Sequence, residues 1–265
     1  MQISAFLNAN NIQKMLEFGP RHFSWIGFDS IDNCNLHCIY CHNPRTKNLI
    51  NLELLDQFLR TKILTIQDFQ IGCQMEPTLD KRLNEIIKVI ADSPSKPCRQ
   101  FKIHTNGTLL NRLDTTAIRD AGLTHLSVSI DTAHEKTFST LRGGAKLSRV
   151  FRNLTDFHKD CPEVIMQFVA TVTTANINEI DDLIEIGMKI GAKRFHFREM
   201  FFDNRSNIVD HEKMEKLLLP PGQFQDMQHK IERQYQSRVG LYFVNSPSAR
   251  SYGLEAKKNS ETISS

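Results

Sequence analysis

Apolar and polar positions along this chain alternate between two patterns, one typical of strands and one typical of helices. Strand-like apolar runs occur six times, at 22–31, 63–71, 99–105, 125–131, 164–172 and 194–200. Helix-like segments follow them, at 51–61, 80–93, 113–122, 145–160, 179–191 and 221–236. Six such units in a row predict an α/β fold, a partial (β/α)6 TIM-like barrel of parallel strands with outer helices. An open doubly wound sheet is the alternative.

The same pattern divides the chain into three parts. Residues 1–21 are predicted to form an N-terminal helical extension across one end of the barrel. Residues 22–236 hold the barrel itself. Residues 237–265 hold a last strand, at 240–245, and a polar tail that we expect to be flexible because it lacks apolar residues to bury.

Several of the predicted strands carry polar residues on one face, because side chains alternate across a strand. The polar faces are formed by Lys102, His104 and Asn106, by Ser127, Ser129 and Asp131, by Gln167, Thr171 and Thr173, and by Arg194, His196 and Arg198. Parallel strands are normally buried on both sides and continuously apolar. These faces therefore predict a polar lumen that holds a ligand, since unfilled buried polar groups are costly. The alternative is that some of them meet solvent at the open edge of the barrel.

Composition narrows the class of protein. The chain has 265 residues, 40% of them hydrophobic, and a formal net charge of +3. That charge is too mild to predict a nucleic-acid partner. The sequence has no apolar stretch of about 20 residues to span a membrane, and its first residues do not resemble a secretory signal. We therefore expect a cytoplasmic protein whose thiols stay reduced.

Three of the six cysteines lie together in the stretch CNLHCIYC, as Cys34, Cys38 and Cys41. Thiolates are soft ligands that select zinc, copper(I) or iron–sulfur clusters. A closed zinc site uses four ligands, whereas an open coordination position marks a reaction site. Three cysteines on one tight loop therefore indicate a [4Fe–4S] cluster with one iron left for a substrate or cofactor.

The spacing CxxxCxxC resembles the signature of the radical S-adenosylmethionine (SAM) superfamily, and the likeness extends over roughly residues 22–200. It implies that SAM binds the fourth iron and is reductively cleaved to a 5′-deoxyadenosyl radical, which takes a hydrogen atom from a substrate. The barrel resembles that of SPASM-type members. No cysteine follows Cys161 in this sequence, however, so we expect no auxiliary clusters.

The resemblance also implies which residues bind SAM. Tyr40 would lie against the adenine, and GCQMEPT would supply Gly72, Cys73, Gln74 and Glu76 near the amino group. Further candidates follow the later strands, namely Asn106, Ser129, Asp131, Arg142, Thr171 and Thr173. Arg142 would pair with the SAM carboxylate, because a guanidinium binds a carboxylate through two parallel hydrogen bonds. GCQMEPT departs from the family pattern, since three residues separate Gly72 from Glu76.

Other interpretations of the cysteine loop stay open. CIYCH matches a haem-attachment pattern, and His37 or His42 is a possible fourth ligand for zinc. A non-catalytic iron–sulfur electron carrier would use the same three cysteines. The residues His42, Asn43 and Pro44 resemble those that follow the third cysteine in glycyl-radical-enzyme activases, although an Asn-Pro pair is also a common turn.

The sequence specifies the catalytic residues, the substrate and the reductant less closely than it specifies the cofactors. Candidate catalytic residues are Cys73, His196 and Arg198, although each also suits a structural role. Epimerisation, dehydrogenation, rearrangement and bond formation all stay open. We expect a small-molecule or peptide substrate and a flavodoxin- or ferredoxin-like reductant.

Overall fold

The computed structural model describes residues 4–19, 21–62, 65–94, 99–202 and 207–245. Eight parallel strands form one sheet whose spatial order is the order along the chain. The strands are β1 (Ser4–Leu7), β2 (His22–Phe28), β3 (Thr65–Ile71), β4 (Gln100–Thr105), β5 (His125–Ser129), β6 (Ile165–Val172), β7 (Arg194–Glu199) and β8 (Gly240–Val244). Within the described ranges no pairing joins β1 to β8, so the barrel is open.

Helices connect most of these strands. They are α1 (Ile12–Phe18), α2 (Leu52–Gln57), α3 (Leu83–Ala91), α4 (Thr115–Asp120), α5 (Glu135–Leu141), α6 (Leu147–Asp160), α7 (Ile180–Ile190), α8 (His211–Leu217) and α9 (Gln223–Tyr235). Helix α7 shows why the sequence folds this way locally. It begins with Asp181 and Asp182, which favour the positive end of the helix dipole, and ends at Gly191 with φ 107°.

The core lies between the outer face of the sheet and the helices. Buried aromatic rings from neighbouring strands pack there, with Phe69 5.4 Å from Phe28 and 5.9 Å from Phe101 between ring centroids. On the other side of the barrel Phe195 contacts Phe168 and Phe197. Each fully buried aromatic or aliphatic side chain contributes roughly 1.5–3 kcal/mol. This layer fixes the strands so that their carboxyl ends, and the loops that follow them, meet at one edge.

The predicted α/β class and the parallel partial barrel are confirmed. The sheet has two more strands than the six in the predicted barrel, one at each edge. The strand predicted at 240–245 is β8. The prediction of a wholly helical N-terminus is wrong, because Ser4–Leu7 pairs with β2 before helix α1 begins. Four residues are too few to show a strand pattern in the sequence.

The predicted tail at 246–265 lies outside the described residues, and the boundaries at 21–22 and 236–237 stay predictions. In the described part of the chain, no helix has both the length and the apolar character needed to cross a membrane.

Candidate active site

The three clustered cysteines line one cavity of about 280 Å³ at the carboxyl ends of strands β2 to β5. We call it the cysteine cavity. Further predicted site residues line it as well, namely Tyr40, Cys73, Gln74, Glu76, Asn106, Ser129 and Arg142. The lining is completed by residues that were not predicted to bind SAM, namely Leu36, His42, Asn43, Met75, His104 and Thr105. Ten of the lining residues are thus candidates named from the sequence, and their binding roles stay predictions.

The cysteine loop is held at its base and at its tip. An isolated antiparallel bridge joins Ile31 to Leu49 and closes the base of the loop. At the tip, the Ile39 amide donates to the Leu141 carbonyl at 3.0 Å. Gly143 permits this approach, because a Cβ there would lie 2.4 Å from the His37 carbonyl oxygen. The loop is thus docked against the end of α5.

The donor groups around the thiols fit an iron–sulfur cluster. The Arg142 Nη1 atom lies 3.9 Å from Cys38 Sγ, and Asn106 Nδ2 lies 3.8 Å from Cys34 Sγ. Donors of this kind stabilise ligating sulfurs and tune a cluster. The thiols surround the cavity without converging on a point, since no three His, Cys, Asp or Glu side chains in the described ranges are grouped to hold a single metal ion. Burial raises the pKa of both Cys34 and Cys38.

The loop after β3 is shaped by Asp29, a residue that sequence reasoning missed. Asp29 follows β2 and is buried, and its Oδ1 accepts from the amides of Cys73 at 2.7 Å and Met75 at 3.3 Å. The Gln74 amide lies 3.2 Å from Oδ2. Burial raises the pKa of Asp29, and these amides oppose that effect. A carboxylate directly after a strand was the only sequence signal for this role.

Gly72, which begins this loop, is required by its geometry. It has φ 76°, and a Cβ there would lie 2.3 Å from the carbonyl oxygen of His104. Gly72 therefore lets the loop cross close to β4, and it acts through the backbone. Cys73 and Gln74 reach the cysteine cavity because the chain turns at this point.

Glu76 joins the loop that follows β3 to the carboxyl end of β4 and the loop that follows it. Its Oε1 accepts from the hydroxyls of Thr78 at 2.5 Å and Thr105 at 2.7 Å, and its Oε2 accepts from the Asn106 amide at 2.6 Å. The residue is 2% exposed. Burial raises the pKa of Glu76, and these donors oppose that effect. Since its oxygens are occupied, Glu76 holds the wall of the cavity in place.

Asp131, Arg142 and Tyr40 form a buried network beside the cysteine loop. Arg142 donates to both carboxylate oxygens of Asp131 at 2.7 Å, and the Tyr40 hydroxyl also donates to Asp131. The Arg142 guanidinium lies 5.6 Å from the centre of the Tyr40 ring. Burial would lower the pKa of Arg142, but Asp131 raises it well above the usual value. Arg142 thus reaches the cavity with a fixed orientation and a permanent charge.

The candidates Thr171, on β6, and Thr173, directly after it, lie beside this network and do not line the cavity. The Thr171 amide donates to Asp131 at 2.9 Å. The side chain of Asn176, another residue that sequence reasoning missed, donates to the carbonyls of Asp131 at 2.8 Å and Thr171 at 3.0 Å. Thr173 is fully buried and donates to Asn176. Among the described residues that line the cysteine cavity, neither threonine is present.

His104 connects two serines across neighbouring strands. Its ring nitrogens lie 3.0 Å from the hydroxyls of Ser127 and Ser129, as the pairing of His104 with Ser127 in the sheet requires. Burial, followed by the charges of Arg198 and Arg142, lowers the pKa of His104 to about 3. The imidazole is therefore neutral, with one donor and one acceptor nitrogen, and it orients Ser129 in the cavity wall.

The three catalytic candidates lie in different places. Cys73 lines the cysteine cavity, and burial raises the pKa of its thiol to about 12. His196 and Arg198 are on β7, away from the cysteine loop, and His196 lines a separate cavity.

The Asn43 side chain donates to the Gln74 carbonyl at 3.1 Å, which joins the cysteine loop to the next loop. That contact gives the Asn-Pro pair a structural role.

The comparisons with known proteins settle the class of protein. Residues 29–186 match the family model described as Radical SAM superfamily. This chain belongs to the radical SAM superfamily and is an enzyme. Its cofactors are the [4Fe–4S] cluster and SAM of that superfamily, and the donor set around the three thiols fits them.

Curated relatives match only in part. The chain is 30% identical over 140 residues to a GTP 3′,8-cyclase of Klebsiella pneumoniae, covering 49% of this chain and 41% of that protein. It is 29% identical over 186 residues to the AdoMet-dependent heme synthase of Methanosarcina barkeri, covering 67% and 50%. The chain thus spans half or less of these two relatives.

Solved structures share the fold. The crystal structure of Streptococcus suis SuiB bound to S-adenosylmethionine superposes with a TM-score of 0.62 at 15% identity, covering 89% of this chain and 54% of that chain. The structure of anSMEcpe with bound AdoMet and a peptide gives a TM-score of 0.59 at 17% identity, covering 84% and 63%. At these identities the likeness establishes the barrel alone.

Proposed function

We propose that this protein cleaves SAM reductively at a [4Fe–4S] cluster and uses the resulting 5′-deoxyadenosyl radical to take a hydrogen atom from a small molecule or peptide in the barrel. The observation that carries the proposal is the shared cavity of Cys34, Cys38 and Cys41 with the loops after β3, β4 and β5. When bound, the cluster supplies one electron to the sulfonium of SAM.

The chain's own residues would position SAM. The amides of Cys73, Gln74 and Met75 donate to Asp29, so this loop would bind the SAM amino group through its carbonyl oxygens. The carbonyls of Gly72 and Gln74 also accept from Gln70 and Asn43. Arg142 has one guanidinium nitrogen, Nη1, that is not used by Asp131 and points toward Cys38 Sγ. That nitrogen suits the SAM carboxylate. Tyr40 would cover one side of the adenine.

The proposed substrate is a small molecule or a peptide that binds in the open barrel. Relatives of this chain carry names that refer to a nucleotide and to haem, and one fold neighbour was solved with a peptide. These names do not converge, so the proposal keeps to a small molecule or peptide. The protein would bring the reacting C–H to roughly 3–3.5 Å from the radical carbon. A flavodoxin- or ferredoxin-like reductant and a cytoplasmic location complete the proposal.

The test is anaerobic reconstitution with iron and sulfide, followed by reduction in the presence of SAM. We expect 5′-deoxyadenosine and about four irons per chain, the content of a [4Fe–4S] cluster. Cys38→Ala should lose both. Cys161→Ala is the matched control, because Cys161 is buried beside Thr115 at the end of α6 and should leave both unchanged.

Other outcomes would redirect the proposal. A reducible cluster that yields no 5′-deoxyadenosine would identify an electron carrier. A stable glycyl radical on a partner protein, seen by electron paramagnetic resonance, would identify an activase. Deuterium transfer from a labelled candidate substrate into 5′-deoxyadenosine would support the proposal and locate the abstracted atom.

A further inference from the structure

A second cavity, of about 630 Å³, opens inside the barrel beside the edge strand β8. We call it the lumen cavity. Its walls include Lys102 of β4, Arg194 and His196 of β7, and Tyr242 of β8. Arg198 does not line this cavity. It shares the face of β7 that carries Arg194 and His196, one step nearer the carboxyl end, because residues two apart point to the same side of a strand. These four groups, Lys102, Arg194, His196 and Arg198, are named the basic lumen below.

The two cavities are stacked along the same strands. Lys102 lines the lumen cavity, and His104, two residues further along β4, lines the cysteine cavity. Strands rise about 3.3 Å per residue, so these positions are about 6.6 Å apart. The distance between the two positions is therefore within the length of a small molecule.

The cations of the basic lumen outnumber the acids that line the lumen cavity. In the described part of the chain, no ion pair involves Lys102 or Arg198. Arg194 donates to the Nε2 atom of His125 at 2.7 Å, and this acceptor is a neutral imidazole because burial and Arg194 lower the pKa of His125 to about 4.

Two carboxylates lie nearby. Asp68 binds the guanidinium of Arg99, with Nε at 2.7 Å. Glu232 lines the lumen cavity and accepts from the neutral side chain of Gln228 at 2.9 Å, so it keeps its negative charge and offsets one cation. Because Lys102 and Arg194 both line the cavity, an excess of positive charge is left.

Two further observations indicate polar groups that lack a partner. The Nε2 atom of His196 is buried and has no hydrogen-bond partner among the described residues. Burial lowers the pKa of Lys102, and Arg194 and Arg198 also lower it, although Asp68 opposes them. Placing like charges together in a half-buried site costs free energy, which a bound anion would recover.

We propose that the basic lumen binds an anionic group of the substrate, a phosphate or a carboxylate. The reacting carbon lies at the other end of the substrate, in the cysteine cavity. This inference rests on the proposed function, because it assigns the substrate class of the same barrel. Arg198 and Lys102 contact the anion directly, and Tyr242 closes the open side.

The test uses the full chain, reconstituted anaerobically with its cluster and saturated with SAM. Tripolyphosphate and citrate are the probes, and glycerol is the neutral comparison, each titrated by calorimetry. We expect saturable binding of an anion and none of glycerol, with affinity that falls as salt rises. The tighter of the two probes distinguishes a phosphate from a carboxylate. Absence of saturable binding by both anions would overturn the inference.

Matched variants locate the site. Lys102→Gln and Arg198→Gln should each weaken anion binding about tenfold, since one charge-assisted contact is worth about 1.4 kcal/mol or more. Lys102→Arg keeps the charge and should retain affinity within about threefold. Lys189→Gln on α7 and Arg152→Gln on α6 remove exposed cations from outer helices and should change affinity less than twofold. Equal losses from these outer variants would overturn the assignment.

Cleavage of SAM in the absence of substrate separates this inference from the proposed function. The same preparations are assayed for 5′-deoxyadenosine. If it forms but no anion binds in the barrel, the proposed function stands and the anion site is rejected. If an anion binds in a Lys102-dependent way but no 5′-deoxyadenosine forms, the anion site is supported and the proposed function is rejected.

Discussion

The cysteine cavity and the basic lumen lie along the same strands but differ in how their charged groups are paired. Around the cysteine cavity each buried carboxylate is fully used, as Asp29 and Glu76 illustrate with three or more donors each. In the basic lumen, two cations have no ion pair and one imidazole nitrogen has no partner within the described ranges. The carboxylates of the first region are satisfied within the protein, whereas the two cations of the second have no carboxylate partner. A buried imidazole without a hydrogen-bond partner occurs in each region among the described residues, His42 in the cysteine cavity and His196 in the basic lumen.

The difference separates two tasks of the same barrel. A region that holds cofactors used by a whole superfamily gains from preorganisation, because fixed dipoles and donors need no rearrangement when the ligand binds. A region that selects a substrate keeps groups whose partner is supplied by that substrate. Substitutions around the cysteine cavity should therefore reduce stability, whereas those in the basic lumen should reduce binding.

The largest effect is expected from Asp131→Asn. The change removes the carboxylate that binds both Nε and Nη2 of Arg142 and leaves a buried guanidinium without a counter-charge. Breaking a buried ion pair from one side costs about 3–5 kcal/mol. The free energy of unfolding, measured by urea denaturation, should fall by that amount, and SAM binding should weaken.

Asp182→Asn is the control for that experiment. Asp182 binds His134 on the surface, where both side chains are at least half exposed. Loss of an exposed pair should change the free energy of unfolding by less than about 1 kcal/mol. Similar losses in the two variants would contradict a special role for the buried network.

A somewhat smaller effect is expected from Gly72→Ala. An alanine at φ 76° costs roughly 1–2 kcal/mol for its backbone conformation. The overlap of its Cβ with the His104 carbonyl adds to that cost, so we expect a total of about 3 kcal/mol and a higher KM for SAM. Denaturation and 5′-deoxyadenosine assays measure the two effects.

Gly122→Ala separates the cost of the backbone conformation from the cost of the steric overlap. Gly122 has φ 72°, but no atom lies within 4 Å of the position of its Cβ. The variant should lose only the conformational part, roughly 1–2 kcal/mol, with an unchanged KM. If Gly72→Ala costs no more than this, the close crossing of β4 is not a constraint.

The pH dependence of stability provides a third measurement. His104 has a pKa of about 3 in the folded chain and about 6.5 when unfolded. The lowered folded value means that its contribution is present above pH 6.5 and is lost as pH falls toward 3. Between pH 7 and pH 5 only the unfolded state gains the proton, so the wild type should lose about 2 kcal/mol more than His104→Gln.

His229→Gln is the control for that comparison, because it makes the same chemical change at an exposed position on α9. Parallel curves for wild type and His104→Gln would show that the imidazole titrates freely and does not orient Ser129 as a neutral group.

Much of this comparison could be predicted from the sequence. The succession of strand-like and helix-like apolar patterns predicted the six inner strands. The carboxyl ends of parallel strands share one edge of the sheet. The residues after those strands therefore had to lie together. Strand parity likewise placed Lys102, His104, His196 and Arg198 toward the lumen, because a two-residue period fixes the face of each side chain.

The hydrogen-bond partners of these side chains could not be predicted in the same way. Parity gives the face but not the register or the rotamer, so the pairing of His104 with Ser127 and Ser129 required the structure. The resemblance assigned Arg142 to the SAM carboxylate, yet most of its hydrogen bonds go to Asp131. Asp29 was missed because its partners are backbone amides more than forty residues away, which leave no side-chain motif.

The smallest effect, and one of opposite sign, is expected from Lys102→Met. Methionine keeps most of the length of the side chain but removes a half-buried cation. Burial and repulsion by Arg194 and Arg198 disfavour that cation more than Asp68 favours it. The free energy of unfolding should rise by about 0.5–1 kcal/mol while anion binding is lost, as happens when a functional group is held at a cost in stability. Lys189→Met should change the stability by less than about 0.5 kcal/mol. A marked loss of stability in Lys102→Met would mean that the lysine is already paired, and the contrast between the two regions would then disappear.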